Sequence, residues 1–125
     1  MKEILTVSQL NDNIKTFLEE AFGRLYVEGE VSNLRRPQSG HTYFTLKDDK
    51  SQIRAVFFRP FGIRTARFEV EDGMKLLCRA RLSAYTPRGE YQLIVESVEP
   101  QGVGALQKAF EQLKARLAAE GLFDP

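Results

Sequence analysis

The period of the apolar residues switches from 3.6 to two and back again along the chain, and that order restricts the possible folds more than any other feature. At the start, Thr6 followed by Gln9 has the form of a capping box, with Leu5 and Leu10 at the two staple positions. Val7, Leu10, Ile14, Phe17, Leu18 and Ala21 then recur at helical spacing, and Gly23 ends the run. After Pro100 the helical period returns in Leu106, Ala109, Phe110, Leu113 and Leu117, closed by Gly121.

Between the helices the period is two. In LYVEGEVSN, Val27, Gly29 and Val31 alternate with Glu28, Glu30 and Ser32, which predicts a half-buried strand; Gly29 within it predicts a bulge or sharp bend. A loop, LRRPQSG, leads to a second strand, HTYFTLK, with Phe44 and Leu46 on one face and His41, Tyr43, Thr45 and Lys47 on the other. Asp48, Asp49 and Lys50 form a turn into a third strand, QIRAVFFR, which is apolar on both faces. Pro60 stops it, and residues 60–73 read as a short helix or irregular connection ending in the Asp72-Gly73 turn. A long fourth strand sets Met74, Leu76, Cys78, Ala80 and Leu82 against Lys75, Leu77, Arg79, Arg81 and Ser83. Thr86-Pro87-Arg88-Gly89 suits a type I turn, and the fifth strand, EYQLIVESVE, puts Tyr91, Leu93 and Val95 on one face.

Helix, three strands, connector, two strands, helix is the order of an OB-fold, a five-stranded Greek-key barrel. The expectation is therefore a mainly β domain with an N-terminal helix (1–23) packed on a barrel (24–100) and a C-terminal amphipathic helix (101–125). An open five-stranded sheet is the alternative. The long fourth strand and the mid-strand Gly29 favour closure, because both help a sheet curl on itself. The 125 residues suit one domain able to bury a core without covalent staples. A single cysteine, Cys78, rules out a disulfide within the chain and suits a reducing cytoplasm. MKEILTVSQL lacks the apolar core of a signal peptide, and no stretch approaches the length of a membrane helix.

The net charge of +1 is unevenly spread: residues 1–34 carry −3, residues 35–91 carry +6 and residues 92–125 carry −2. A basic block between acidic flanks suits a polyanion track, but on charge alone a solubilising surface is the favoured reading. Chemistry is harder to find. Cys78 falls on the inward face of a strand, so pairing it with His41 as a nucleophile is disfavoured. Asp48 and Asp49 read as turn formers before metal ligands, and Glu28 and Glu30 have no visible partner to tune them. No phosphate loop, dinucleotide fingerprint or zinc pattern occurs, so neither a catalytic residue, a metal site nor a cofactor is expected here.

Binding is better supported. OB-folds take oligonucleotides across the second and third strands. The outward positions there are His41, Tyr43, Thr45 and Lys47, then Arg54, Val56 and Phe58, with Arg59 at the strand end. Arg35 and Arg36 lie in the loop before the second strand, Arg88 in the turn before the fifth, and Arg79 and Arg81 on the outward face of the fourth. Rings stack bases whatever their identity, and guanidinium and ammonium groups neutralise phosphates. The same rings, Tyr43 and Phe58, can instead serve as packing under a terminal helix.

The strings LTVSQLNDNIK, VEGEVSNLRR, SGHTYFTLKDD, QIRAVFFR, EDGMKLLCRARLSAYTPRGEYQLIVESVEP and GALQKAFEQLKARLAAEGLFDP together resemble the start of the exodeoxyribonuclease VII large-subunit family. The resemblance covers essentially the whole chain. SGHTYFTLKDD is shared loosely with other OB domains, whereas PRGEYQLIVE with the closing AAEGLFDP is more specific. It implies a bacterial cytoplasmic enzyme of large and small subunits that degrades single-stranded DNA from either end into oligonucleotides without an added divalent metal. By the same resemblance, the catalytic region and the small-subunit-binding coiled coil lie beyond residue 125, and this stretch grips the substrate. The chain closes at Phe123-Asp124-Pro125, directly after a helix, which reads as a boundary within a longer protein. An anticodon-type RNA-binding module and a structural module of a larger complex remain the competing readings, with a self-contained enzyme the least supported.

Overall fold

Thr6 starts the first helix by the exchange its side chain allows. Its Oγ1 accepts from the Gln9 amide at 3.1 Å while Gln9 Oε1 accepts from the Thr6 amide at 2.9 Å. Gly23 ends that helix at φ 58°, where a side chain would be strained. The computed structural model describes residues 2–58 and 69–119. Its elements are α1 (Val7–Phe22), β1 (Arg24–Arg35), β2 (Thr42–Lys47), β3 (Gln52–Phe57), β4 (Lys75–Tyr85), β5 (Glu90–Pro100) and α2 (Gly102–Ala119).

The strands close into a barrel in the order β1-β2-β3-β5-β4, so the open-sheet alternative falls away. All neighbours are antiparallel except β3 and β5, which run parallel with Arg54 opposite Gln92 and Phe57 opposite Val95. The period-two pattern sends Val31, Phe44, Leu46, Leu76, Cys78, Leu93 and Val95 inward, all at most 3 % exposed. Each large aliphatic among them contributes about 1.5–3 kcal/mol by leaving water. β3 has no exposed face at its centre: Ala55 and Phe57 join the core, and Val56, outward by parity, is also buried, flanked in the sheet by Tyr43 and Ile94. Tyr91 shares the parity of Leu93 but sits at the end of the barrel and stays exposed.

The bulge expected at Gly29 lies elsewhere. Gly29 pairs in regular register with Leu76, and the register shift falls between Ser32 and Arg35, where Asn33 adopts φ 53°. Asparagine tolerates that conformation better than other side chains. Gly29 serves close approach instead, at the point where β1 passes from β4 to β2. A Cβ there would stand 2.8 Å from Leu46 Cγ and 2.9 Å from the Lys47 carbonyl oxygen.

The helix α1 packs against β4, with Leu18 reaching the core. Asn11 Nδ2 donates to the Thr86 carbonyl at 2.9 Å, and Ser83 Oγ donates to Glu19 Oε2 at 2.8 Å. The stripe of Val7, Leu10, Ile14 and Phe17 remains exposed, as does the staple residue Leu5. The helix α2 buries only Ala105 and leaves Leu106, Phe110 and Leu113 in solvent. Polar contacts hold it: Gln112 Oε1 accepts from the Glu69 amide at 2.7 Å while its Nε2 donates to the Glu69 carbonyl at 2.9 Å. Of the 60–73 connector, residues 60–68 lie outside the described residues, as does Gly121. Val70 is buried, and Asp72-Gly73 forms the expected turn, with Gly73 at φ 88° and Asp72 Oδ1 accepting from the Leu34 amide at 3.0 Å. No helix among the described residues is long and apolar enough to cross a membrane.

Candidate nucleic-acid interface

The β2–β3 hairpin is aimed by its turn. Asp48 Oδ1 accepts from the amides of Lys50 and Ser51, both at 2.8 Å, and the Asp48 amide donates back to the Ser51 carbonyl at 3.0 Å. This is the turn-forming role expected from the sequence. The two amide donors hold the Asp48 carboxyl below its ordinary value of 3.8. A group whose folded value is depressed stabilises above its unfolded value and loses that contribution as pH falls through the folded one. Asp48→Ala is therefore expected to lower the melting temperature at neutral pH, with the gap to the parent closing below about pH 4. Parallel thermal melts from pH 7 to pH 2 check it, and a gap constant with pH would refute the carboxylate's role.

With the hairpin in place, three rings gather on its outer face. The His41 ring stands edge-on to Phe58, with centroids 5.1 Å apart, and edge-on to Tyr43 at 6.5 Å. Tyr43 is 37 % exposed, enough to offer ring surface to a ligand, while Phe58 is half-buried against its neighbours. Tyr43 lies opposite Arg35 on β1 and opposite Val56 on β3. One row along, Arg54 lies opposite Thr45, its guanidinium 3.5 Å from Glu90 Oε2. Both partners are more than two-fifths exposed, so that pair is worth at most about 1 kcal/mol and can yield to a phosphate. Lys47, half-buried, sits at the far end of β2 between Glu30 and Gln52.

The remaining basic residues divide. Arg88 is exposed in the β4–β5 turn, near the Arg54 end of β3, whereas the β1–β2 loop lies at the Phe57 end. Arg36 is in that loop but is engaged within the fold, bonding Glu69 Oε1 at 2.6 Å and the Val70 carbonyl at 2.8 Å. It ties the loop to the segment entering β4. Arg79 and Arg81 do not share the β2–β3 face. Order in the barrel puts β4 between β5 and β1, so they stand on the other side, where Arg81 and Arg24 converge on Glu96. Arg59 lies outside the described residues.

Parity along the strands misses two neighbours of the face, Gln92 opposite Arg54 and Ile94 opposite Val56. Both point outward by alternation, but only the parallel β3–β5 pairing brings them beside β3. Cys78 is fully buried, and desolvation pushes its thiol up to about 12, far from a reactive thiolate. Among the described residues no three His, Cys, Asp or Glu side chains converge as a metal site. The arrangement thus offers stacking and phosphate neutralisation.

A family model for the OB-fold nucleic acid binding domain matches residues 5–99. The chain belongs to this family. The match takes in α1 with the OB barrel. Over 98 % of its length the OB domain is 62 % identical to an exodeoxyribonuclease 7 large subunit of Geotalea uraniireducens, and 58 % identical to that of Geotalea daltonii. It spans about 27 % of the length of each of these curated relatives. A solved structure of a Replication Protein A heterotrimer bound to ssDNA shares the OB fold, at TM-score 0.52 and 14 % identity over 77 % of this chain and 73 % of that one.

Proposed function

We propose that this OB domain is a sequence-tolerant single-stranded DNA binder, and that it serves a longer nuclease whose hydrolytic centre lies outside these residues. The observation that carries the reading is the edge-on group of His41, Tyr43 and Phe58 bordered by Arg35 and Arg54 on the outer face of β2 and β3. Bases stack on such rings irrespective of identity, and the guanidinium groups meet the backbone phosphates. Lys47 and Arg88 add charge at the Arg54 end. The name carried by the curated relatives supports the larger role, exodeoxyribonuclease 7 large subunit. In that role the whole protein cuts single-stranded DNA into oligonucleotides in the cytoplasm, and its small subunit attaches through regions beyond residue 125.

Titration of the isotope-labelled chain with an oligo-dT of roughly eight nucleotides tests this by NMR. Low-salt binding with amide shifts centred on Tyr43, Arg54 and Phe58 is expected. The affinity should fall with salt by a log–log slope of about 0.7 per phosphate engaged. RNA of matching sequence should bind no more tightly, since a true RNA reader uses the 2′-hydroxyl. A clear RNA preference would favour the anticodon-type reading. No binding of either strand at low salt would favour a structural module.

A further inference from the structure

We propose that the outer face of β1 and β4 is a second single-strand contact, built from Tyr26, Arg79, Arg81 and Arg24, that extends the track beyond β2 and β3. The proposal rests on the DNA-binding reading above and adds a surface that reading does not use.

Tyr26 and Arg79 face each other across the β1–β4 ladder, and Arg24 faces Arg81 in the next outward row. Tyr26 is 72 % exposed, so its ring gives the core nothing. Arg24 bonds Glu96 at 3.0 Å and Arg81 approaches the same carboxylate at 3.8 Å. Two guanidinium groups on one carboxylate leave a surplus positive charge. Arg79 adds another and has no ion pair among the described residues. An exposed ring beside spare guanidinium groups is the pairing that unstructured strands need: stacking for bases, charge for phosphates.

The surroundings confine the patch to a lane. On one side Ser83 is bonded to Glu19 of α1. On the other, Leu77 lies between Glu28 and Glu99, a row that repels phosphate. The lane also connects to the first face. Tyr43, Val56, Ile94, Arg81 and Arg24 pair successively across the sheet, so along this path only β5 lies between the β2–β3 face and the β1–β4 face. Three strand spacings make roughly 14 Å along the sheet from Tyr43 to Arg81. OB-folds engage about 4–16 nucleotides, so a longer strand can occupy both faces and a short one only the first. An acidic protein segment is the competing occupant, but it would leave Tyr26 without a stacking partner.

The test compares oligo-dT of roughly 4 and 14 nucleotides on the 125-residue chain and on its Tyr26→Ala/Arg79→Ala variant, by fluorescence anisotropy. The longer strand should bind about tenfold more weakly and the shorter should bind as before. The salt slope of the longer strand should fall by about 0.7, for one fewer phosphate neutralised. Equal weakening at both lengths, or none at either, overturns the extension. So does a poly-glutamate peptide that shifts the Tyr26 and Arg79 amide signals while the long strand leaves them unmoved. Tyr26→Ser alone, at a site this exposed, guards against misfolding and should retain part of the length-dependent weakening. Failure of the first face is separately visible, because Tyr43→Ala/Arg54→Ala would then leave both lengths unaffected.

Discussion

Alanine at Tyr43 and Arg54 together is expected to weaken single-strand binding by about a hundredfold, with little change in stability. Base–aromatic stacking is worth about 1–3 kcal/mol per base, and a phosphate left without its guanidinium adds to the cost. A total near 3 kcal/mol corresponds to about two decades in affinity. Both side chains are more than a third exposed and neither belongs to the core, so the melting temperature should move little. The salt slope should also drop by about 0.7, as expected when a single strand has one fewer phosphate neutralised. Anisotropy at two salt concentrations reads both effects. Unchanged affinity with an intact fold would remove the β2–β3 face from the binding site.

The largest effect on folding is expected at Gly29. The Leu46 side chain and the Lys47 carbonyl oxygen already occupy the place of its missing Cβ, at 2.8 and 2.9 Å. The carbonyl oxygen is backbone on β2, so the crowding cannot be relieved by a rotamer change alone. Gly29→Ala is expected to cost about 1–3 kcal/mol through overpacking, and Gly29→Val more. A domain of this kind has only about 5–15 kcal/mol in all. Urea unfolding should show the midpoint falling in the order Gly, Ala, Val while the slope stays constant. A midpoint unmoved by Gly29→Val would mean that β1 and β2 do not approach as closely as the barrel requires.

These two sites differ in how far the sequence discloses them. Tyr43 and Arg54 face outward by simple alternation, and alternation is a local property of a strand. Their grouping with His41 and Phe58 needs only the β2–β3 hairpin, whose turn is announced by Asp48-Asp49. Gly29 announces a special backbone position but not its reason, because the crowding atoms belong to Leu46 and Lys47, which are distant in sequence. The bulge it suggests forms instead at Asn33, a residue that tolerates positive φ better than most.

The basic residues show the same division. Arg36 and Arg54 look alike as charges in a loop and a strand. Arg36 is drawn into the fold by Glu69 and the Val70 carbonyl, partners 33 and 34 residues away, whereas Arg54 keeps only a weak exposed pair. Arg79 and Arg81 face outward as alternation requires, but which side of a closed barrel is outward for β4 depends on its seat between β5 and β1.

The order of the elements, their inward and outward faces, the capping box at Thr6 and the family were all present in the sequence, because periodicity, caps and turns depend on residues a few positions apart. Tertiary structure alone decided the parallel β3–β5 pairing, the burial of Val56, the engagement of Arg36, the reason for Gly29 and the separation of two basic faces. Each of these arises where segments far apart in the chain meet, and no local pattern encodes which segments those will be.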